Sequence, residues 1–325
     1  MLNFIYWPIS AVLWFWHKVF GFIFDEASGL SWILAIMFLT FTIRVLLVKP
    51  TVNQLRSGRK MQELQPQMQA IREKYKNDQE KMALETQKLY KDAKMNPLAS
   101  CIAPVVQMPV FFGLFHVLRS FNRTGTGTGQ LGMSVEENRN TANYIFNPEE
   151  VRSFLDATVF GVPLSAYISM PEDMMNAFTT DFTKTQVVLV AAPLIVIIAL
   201  FTHFNARLSL NRQKQRRASG KTSAPTGDNA EMMEMQMNMM NKMMLWFLPA
   251  TIFFTGFLWH IGLLFYMFAN NIWTFFQNLI VFRKMDEEEA AEEEAKKAAK
   301  RSTAPVVGAR KVDKRTKRER KEGKK

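Results

Sequence analysis

Arg44 is the residue whose type and position most clearly point to a chemical role in this sequence. It is the only charged side chain deep in an apolar block, and a charge at mid-bilayer costs about 2.5–3.5 kcal/mol unless it faces a wet cavity or a partner. Lys49 follows five residues later, so the long arginine side chain could also reach water at the membrane surface. The residues alone leave both interpretations of Arg44 open.

Five amides also lie within or at the edge of apolar blocks, where they can form hydrogen bonds. They are Gln107, Asn205, Asn270, Asn271 and Gln277. Such groups often serve only to bond neighbouring helices, at about 0.6 kcal/mol each, and we favour this role for Gln107 and Gln277. For Asn205 and Asn270, lining a hydrophilic cavity is an equal alternative.

Motifs for catalysis or metal binding are missing from the sequence. It has one cysteine, Cys101, and four histidines, none of which are paired at zinc-ligand spacing. We find no Gly-rich phosphate loop, no GxSxG motif and no plausible Ser-His-Asp set. We therefore predict that the protein is not an enzyme and needs no cofactor or metal.

Apolar blocks of about 20 residues determine the predicted fold class. A helix of that length crosses a hydrocarbon core about 30 Å thick. The predicted spans are residues 28–49, 97–118, 184–205, 243–259 and 261–282. Residues 1–27 are rich in Trp and Phe and are predicted to form an extracytoplasmic interfacial helix, with a further span as the alternative. The fold is predicted to be an all-α polytopic membrane protein, a five-span helical bundle.

The charges of the connecting segments predict the orientation. Basic residues exceed acidic ones in the loops 50–96 and 206–242 and in the tail 283–325, whereas the loop 119–183 has four basic residues and eight acids. Loops rich in Lys and Arg stay in the cytoplasm. We therefore predict a plasma-membrane protein with its N-terminus outside and its C-terminus inside.

The cytoplasmic loop 50–96 is predicted to form a helical hairpin. Apolar residues recur there at spacings of three and four, the pattern of one helix face: Met61, Leu64, Met68, Ile71 and Tyr75. Asn77 and Asp78 supply a turn before a second helix, and Pro66 is expected to bend or break the first. A simple spacer is the alternative, although long ordered loops are usually functional.

Two further cytoplasmic segments have a composition suited to binding. The loop 206–242 leads into residues 232–244, which contain eight methionines and predict either an adaptable contact surface for nascent apolar segments or an amphipathic lead-in to the fourth span. The tail 283–325 is predicted to be disordered and, from Lys296 onward, strongly basic. It favours ribosomal RNA and anionic lipids as partners, or it acts only as a topology signal. We predict no DNA binding.

Short motifs that are weak one by one occur in a specific order along the chain. They are FTIR at 41–44, MQELQP at 61–66, KMNPL at 94–98, PVVQMPVF at 104–111, and GLLFYM with NNIWT between 262 and 274. In this order they resemble the YidC-type membrane protein insertases of the YidC/Oxa/Alb family. The long basic tail resembles the Gram-positive or actinobacterial form.

The resemblance implies a function. Such proteins insert and fold integral membrane proteins, alone or beside the Sec translocon, with nascent membrane proteins and the ribosome as partners. They use a hydrophilic groove open to the cytoplasm, which carries a basic residue of the first core span that matches Arg44. Gln107, Asn205, Asn270 and Asn271 are the further candidate groove residues, and Met267 stands where the family often has an aromatic residue.

A channel or transporter with Arg44 lining its pore is the alternative function. Transporters usually contain inverted repeats and several ionisable residues at mid-membrane. This sequence has no evident internal repeat and a single deep charge. The insertase interpretation is therefore favoured.

Overall fold

The computed structural model describes residues 3–96, 99–125, 131–220 and 230–303. Within these residues the chain is almost entirely helical, with one short β-hairpin of β1 (Thr158–Val159) and β2 (Val162–Pro163). The helices are α1 Asn3–Phe24, α2 Gly29–Leu46, α3 Val48–Lys74, α4 Gln79–Asp92, α5 Ala99–Arg119, α6 Val135–Arg139, α7 Pro148–Asp156, α8 Glu172–Met175, α9 Lys184–Ala218, α10 Ala230–Lys242, α11 Leu248–Thr255 and α12 Ile261–Thr303.

The prediction of a helical membrane protein is confirmed. Among the described residues, three helices are long and apolar enough to cross a membrane: α1, α2 and α9. The polar amides of α12 make its first half less apolar than these three. The five-span bundle and the interfacial position of α1 therefore stay predictions.

The chain divides into two compact units, residues 1–278 and 279–325. The core of the first unit joins α1, α2, α5, α9, the beginning of α12 and residues 119–183, which we call the outer segment after its predicted location. Its largest fully buried side chains include Trp32, Phe121 and Phe154. In the second unit the end of α12 carries an exposed ion pair between Arg283 and Glu287. Residues 304–325, most of the predicted basic tail, lie outside the described residues.

Aromatic side chains pack α1 along α2. The Trp16 indole donates a hydrogen bond to the Thr42 hydroxyl at 2.9 Å, and the His17 ring stacks on Trp32 with centroids 3.6 Å apart. The chain turns between the two helices at residues 25–28, and the Ser28 side chain caps α2 by accepting from the Leu30 amide. Trp16 and His17 of α1 thus serve helix packing, whereas Phe4 and Phe22 of the same helix are exposed.

The predicted outer loop 119–183 is folded around a core of its own. Phe121, Phe146 and Phe154 are fully buried with Trp32 of α2, and Asn147 begins α7 with a capping box. Sequence reasoning did not predict this structure. The packing of several aromatic rings explains why the segment is ordered, since each ring buries a large apolar area.

A bidentate ion pair ties two helices of this outer segment together. The Arg139 guanidinium donates to both carboxylate oxygens of Asp156, at 2.9 and 2.6 Å. Burial by itself raises the pKa of this carboxyl, but the hydrogen bonds from Arg139 and Thr179 outweigh it and hold the pKa of Asp156 below its ordinary value. The pair therefore keeps its charge in neutral solution.

Residues 48–92 form two helices that pack on each other. α3 and α4 are joined by residues 75–78, and the Asp78 side chain caps α4 by accepting from the Lys81 amide at 3.0 Å. The Tyr90 hydroxyl meets the Met68 sulfur at 3.4 Å across the hairpin. Pro66 lies inside α3, which continues through it without a break.

Three helices extend beyond the predicted span boundaries. α12 continues 21 residues past 282, to Thr303, so the prediction of disorder is wrong for residues 283–303 of the tail. α9 continues 13 residues past 205, to Ala218, and its buried Arg216 meets Glu63 of α3 at 3.4 Å. α10 runs through a π-helical turn, Met243–Phe247, directly into α11. Much of the predicted loop 206–242 is therefore helical, because polar residues can continue a helix once it projects into water.

The contact between Gly29 and β1 gives a direct test of this fold. A Cβ atom at Gly29 would lie 1.9 Å from the backbone oxygen of Thr158, whereas a Cβ at Gly58 of α3 would meet nothing within 4 Å. We expect Gly29→Ala to lower the free energy of unfolding by about 1–3 kcal/mol. Gly58→Ala, the matched control, should raise it by about 0.5–1 kcal/mol. Unfolding in detergent micelles measures both, and equal effects would contradict the observed packing.

Candidate functional site

Arg44 lies in the last turn of α2 and points at α12. Its Nε donates to Asn270 Oδ1 at 2.8 Å, its Nη2 donates to the same oxygen, and Nη2 also reaches Thr274 Oγ1 at 3.4 Å. The side chain is partly buried. These partners are neutral, and within the described residues no carboxylate contacts Arg44. The guanidinium is thus held in place while its positive charge remains uncompensated.

One face of α12 supplies the partners of Arg44. Tyr266, Asn270 and Thr274 are spaced by four residues, so their side chains lie one above another on the same face. The Thr274 hydroxyl donates to the Asn270 backbone oxygen at 2.8 Å. The Gln107 amide of α5 donates to the Tyr266 hydroxyl at 2.7 Å. This polar row therefore joins α12 to both α2 and α5.

A second polar cluster joins α12 to α9. Asn271 accepts from the Thr202 hydroxyl at 3.1 Å, and its backbone oxygen accepts from the Asn205 amide at 3.1 Å. Asn271 also donates to the Met267 backbone oxygen at 3.0 Å. Asn205 and Asn271 are both buried. This cluster has the character of a helix–helix contact.

The five predicted site residues therefore fall into two groups. Asn270 belongs with Arg44 and Gln107 lies on the same polar row, whereas Asn205 and Asn271 bond each other. Neighbouring residues of a helix differ by about 100° in direction, so Asn270 and Asn271 face different helices. Their role in lining a groove stays a prediction.

Sequence reasoning missed three hydroxyl partners, one of which is Tyr266, which accepts from Gln107. Thr274 contacts Arg44, and Thr202 contacts Asn271. The four-residue spacing from Asn270 to Thr274 could have indicated the contact with Arg44, but no sequence pattern connects Thr202 to Asn271. Gln277, for which we favoured bonding to another helix, instead accepts from Trp273 of its own helix at 2.6 Å.

The methionine-rich segment is helical and exposed in the structure. Met235 is 71% exposed and Met232 is 67% exposed on α10, and the segment continues into the π-helical turn. Met267, in contrast, packs against the apolar core. The surface of α10 is available to a partner, and its function stays a prediction.

Within the described residues, no three His, Cys, Asp or Glu side chains come together to hold a metal ion. His260 is fully buried at the residue before α12, and its ring lies 5.0 Å from the Tyr167 ring in an edge-on contact. This histidine packs against aromatic rings, and its predicted place in an outer turn stays a prediction.

Comparisons with known proteins agree with the motifs. The family described as 60Kd inner membrane protein matches residues 23–289. A protein of Mycobacterium tuberculosis named membrane protein insertase YidC is 40% identical over 309 residues, which cover 95% of this chain and 80% of the relative. Relatives with the same name are 40% identical in Mycobacterium leprae (95% and 77% covered) and 30% identical in Streptomyces avermitilis (87% and 58% covered).

The two polar clusters lead to a test by double-mutant cycles. We expect Asn205→Ala and Asn271→Ala to show a coupling of about 0.6 kcal/mol in the free energy of unfolding, because each removes the same hydrogen bond between α9 and α12. The control pair, Asn205→Ala with Asn270→Ala, should be additive, since no hydrogen bond joins those side chains. Unfolding of purified variants in mixed micelles measures both cycles. Equal coupling in the two pairs would contradict the division into two clusters.

Proposed function

Since this chain belongs to the 60Kd inner membrane protein family, with actinobacterial relatives named membrane protein insertase YidC, we propose that it inserts and folds integral membrane proteins in the plasma membrane. The family consists of insertases and not of enzymes, in agreement with the lack of catalytic motifs. The observation that carries the proposal is the partly buried Arg44, held by neutral partners on α12.

The uncompensated charge of Arg44 suggests how a substrate is received. A carboxylate partner would neutralise the guanidinium, whereas the Asn270 amide only orients it. An acidic segment of an incoming chain is therefore attracted to Arg44 by charge. Entering a groove beside Arg44, Gln107 and Asn270 lowers the cost of taking the polar segment out of water. Asn205 and Asn271 complete the proposed groove toward α9.

The apolar part of the substrate completes the proposed mechanism. Once the polar segment occupies the groove, the apolar segment leaves sideways between helices into lipid, driven by the hydrophobic effect. Binding of the polar segment and burial of the apolar segment supply the free energy, so the mechanism requires no cofactor. We propose that the protein acts in this way either alone or together with the Sec translocon.

We propose five spans, with the N-terminus outside and the C-terminus inside. The helical hairpin of α3 and α4 and the extension of α9 then lie in the cytoplasm, and the folded outer segment lies outside. The excess of basic residues in 50–96, 206–242 and 283–325 supports this orientation.

The ribosome and anionic lipids are proposed partners of the cytoplasmic basic segments. Residues 296–325 contain fourteen basic residues and three acids. Neutralising phosphates with such a segment releases counterions, which gives a sequence-independent affinity that falls with salt. The channel or transporter alternative finds no support among the relatives, which are named insertases.

The role of Arg44 can be tested by protease protection of substrates inserted into vesicles. We expect Arg44→Ala to reduce insertion of a substrate with an acidic outer segment roughly tenfold, as for loss of a charged hydrogen bond of about 1.5 kcal/mol. Arg44→Lys should be milder, because it keeps the charge. Asn270→Ala should also retain the preference for acidic segments, since it removes only the orienting group.

Lys49→Ala is the matched control, because it removes one positive charge from an exposed position at the same end of the chain's first core span. It should leave insertion close to the wild-type value. A version of the substrate with a neutral outer segment should respond weakly to every variant. If Arg44→Ala and Lys49→Ala impair both substrates equally, the proposed role of Arg44 is wrong.

The orientation can be tested by labelling single cysteines in intact cells. In a Cys101→Ser background, Glu149→Cys at the start of α7 should react with a membrane-impermeant maleimide added outside. Glu80→Cys at the start of α4 should react only after the membrane is opened. Both positions are exposed in the structure, so access depends on the side of the membrane. The reverse pattern would contradict the proposed orientation.

A further inference from the structure

A cavity of about 390 Å³ lies where α5 ends and the outer segment begins. Arg119, Ser120, Arg123, Leu131 and Tyr144 are among its lining residues. Among the residues that the structure describes, no acidic side chain lines this cavity. The proposed function assigns no role to this cavity.

The positive charge of the cavity contrasts with its surroundings. Residues 119–183 contain eight acids and four arginines, and three of these arginines have partners. Arg139 pairs with Asp156, Arg152 donates to Asn140 at 2.9 Å, and Arg123 donates to the backbone oxygens of Thr141 and Ala142. The outer segment therefore uses most of its basic side chains for its own structure.

Arg119 is the exception. Its side chain is partly buried, and within the described residues its guanidinium makes no hydrogen bond and no ion pair. A guanidinium presents five donors in a planar fork that matches the oxygens of a phosphate or carboxylate. Arg123 adds a second positive charge, and each of its three nitrogens already donates one hydrogen bond within the protein. The cavity is thus equipped to bind an anion through Arg119.

Two aromatic side chains, His116 and Tyr144, line the cavity, and Tyr6 and Trp7 of α1 pack beside them. The Tyr6 ring stacks on His116 with centroids 4.2 Å apart, and Tyr144 meets Tyr6 and Trp7 edge-on at 5.7 and 6.0 Å. Trp7 is 50% exposed and Leu131 is 67% exposed. Tyr and Trp are enriched where hydrocarbon meets the headgroups. A phospholipid is therefore the nearest source of an anionic oxygen.

The backbone holds Tyr144 at the cavity in an uncommon conformation. Its φ angle is 54°, a left-handed value that aromatic residues rarely adopt. Reciprocal hydrogen bonds of 3.0 Å between Asn143 and Phe146 close the turn around it, and the Tyr144 hydroxyl lies 2.8 Å from the His116 ring nitrogen. The tertiary structure thus fixes the aromatic wall of the cavity.

We propose that this cavity binds the phosphate of an anionic phospholipid headgroup in the outer leaflet, with Arg119 as the main ligand. Arg123 contributes charge, and the exposed Leu131 and Trp7 face the apolar part of the same lipid. The proposal rests on the proposed orientation, which places this end of α5 outside, and not on the insertase activity. It therefore survives or fails separately from the role of Arg44.

Native mass spectrometry of the full chain, titrated in detergent with phosphatidylglycerol or phosphatidylcholine, tests the proposal. We expect Arg119→Gln to weaken phosphatidylglycerol binding about fivefold, the effect of one basic residue near anionic lipid. Arg119→Lys should restore most of the affinity. The control Arg152→Gln removes one charge from the same segment outside the cavity and should bind like the wild type. Phosphatidylcholine binding should be unchanged in all variants.

Three results would overturn the proposal. The first is wild-type phosphatidylglycerol binding by Arg119→Gln, and the second is displacement of the lipid by an equal concentration of glycerol phosphate, which would indicate a free phosphate as the ligand. The third is displacement by a peptide of consecutive aspartates, which would indicate an acidic protein segment. Thermal unfolding in phosphatidylcholine separates binding from folding. The midpoint of Arg119→Gln should equal that of the wild type there, and a lowered midpoint would mean a structural role.

Discussion

The pairing of a positive charge with a neutral amide is the constraint on which the candidate site depends. Arg44 lies among apolar helices, where an isolated charge is costly, and Asn270 and Thr274 satisfy its donors without cancelling its charge. A carboxylate in place of Asn270 would make a closed ion pair inside the protein, with little remaining attraction for a third group. The choice of a neutral partner therefore keeps Arg44 both ordered and attractive to anions.

The amides of α12 also determine which helices associate with it in lipid. Apolar surfaces gain little from meeting each other in hydrocarbon, so hydrogen bonds and close packing must select the partners. One face of α12 reaches α2 and α5 through Asn270 and Tyr266, and the next residue, Asn271, reaches α9. Because the two asparagines diverge by about 100°, one helix connects three others. α12 therefore supplies both the partners of Arg44 and the hydrogen bonds that pack it against α2, α5 and α9.

Outside the predicted spans, aromatic packing and ion pairs hold the structure together in place of amide hydrogen bonds. The outer segment is held by buried rings around Phe154 and by the Arg139–Asp156 pair, and it touches α2 closely at Gly29. Where α9 extends beyond its predicted span, the buried Arg216 meets Glu63 and links α9 to α3. These two ion pairs lie at or beyond the ends of the predicted spans, where water lowers the cost of charge, whereas Arg44 is the charged side chain deep within an apolar block.

Local sequence patterns were sufficient to predict the fold class, the family and part of the candidate site. Apolar block length and charge asymmetry predicted a helical membrane protein, the three–four spacing predicted the region of α3, and ordered motifs indicated the family before any comparison. The candidate residues Arg44 and Asn270 also followed from the sequence, because a polar group in an apolar block is visible there. Only the tertiary structure decided that Asn271 turns to Asn205 and not to Arg44, that the outer segment has a core, and that Arg119 faces a cavity. These features depend on contacts between residues far apart in the chain, and a local period carries no information about which distant side chain lies opposite.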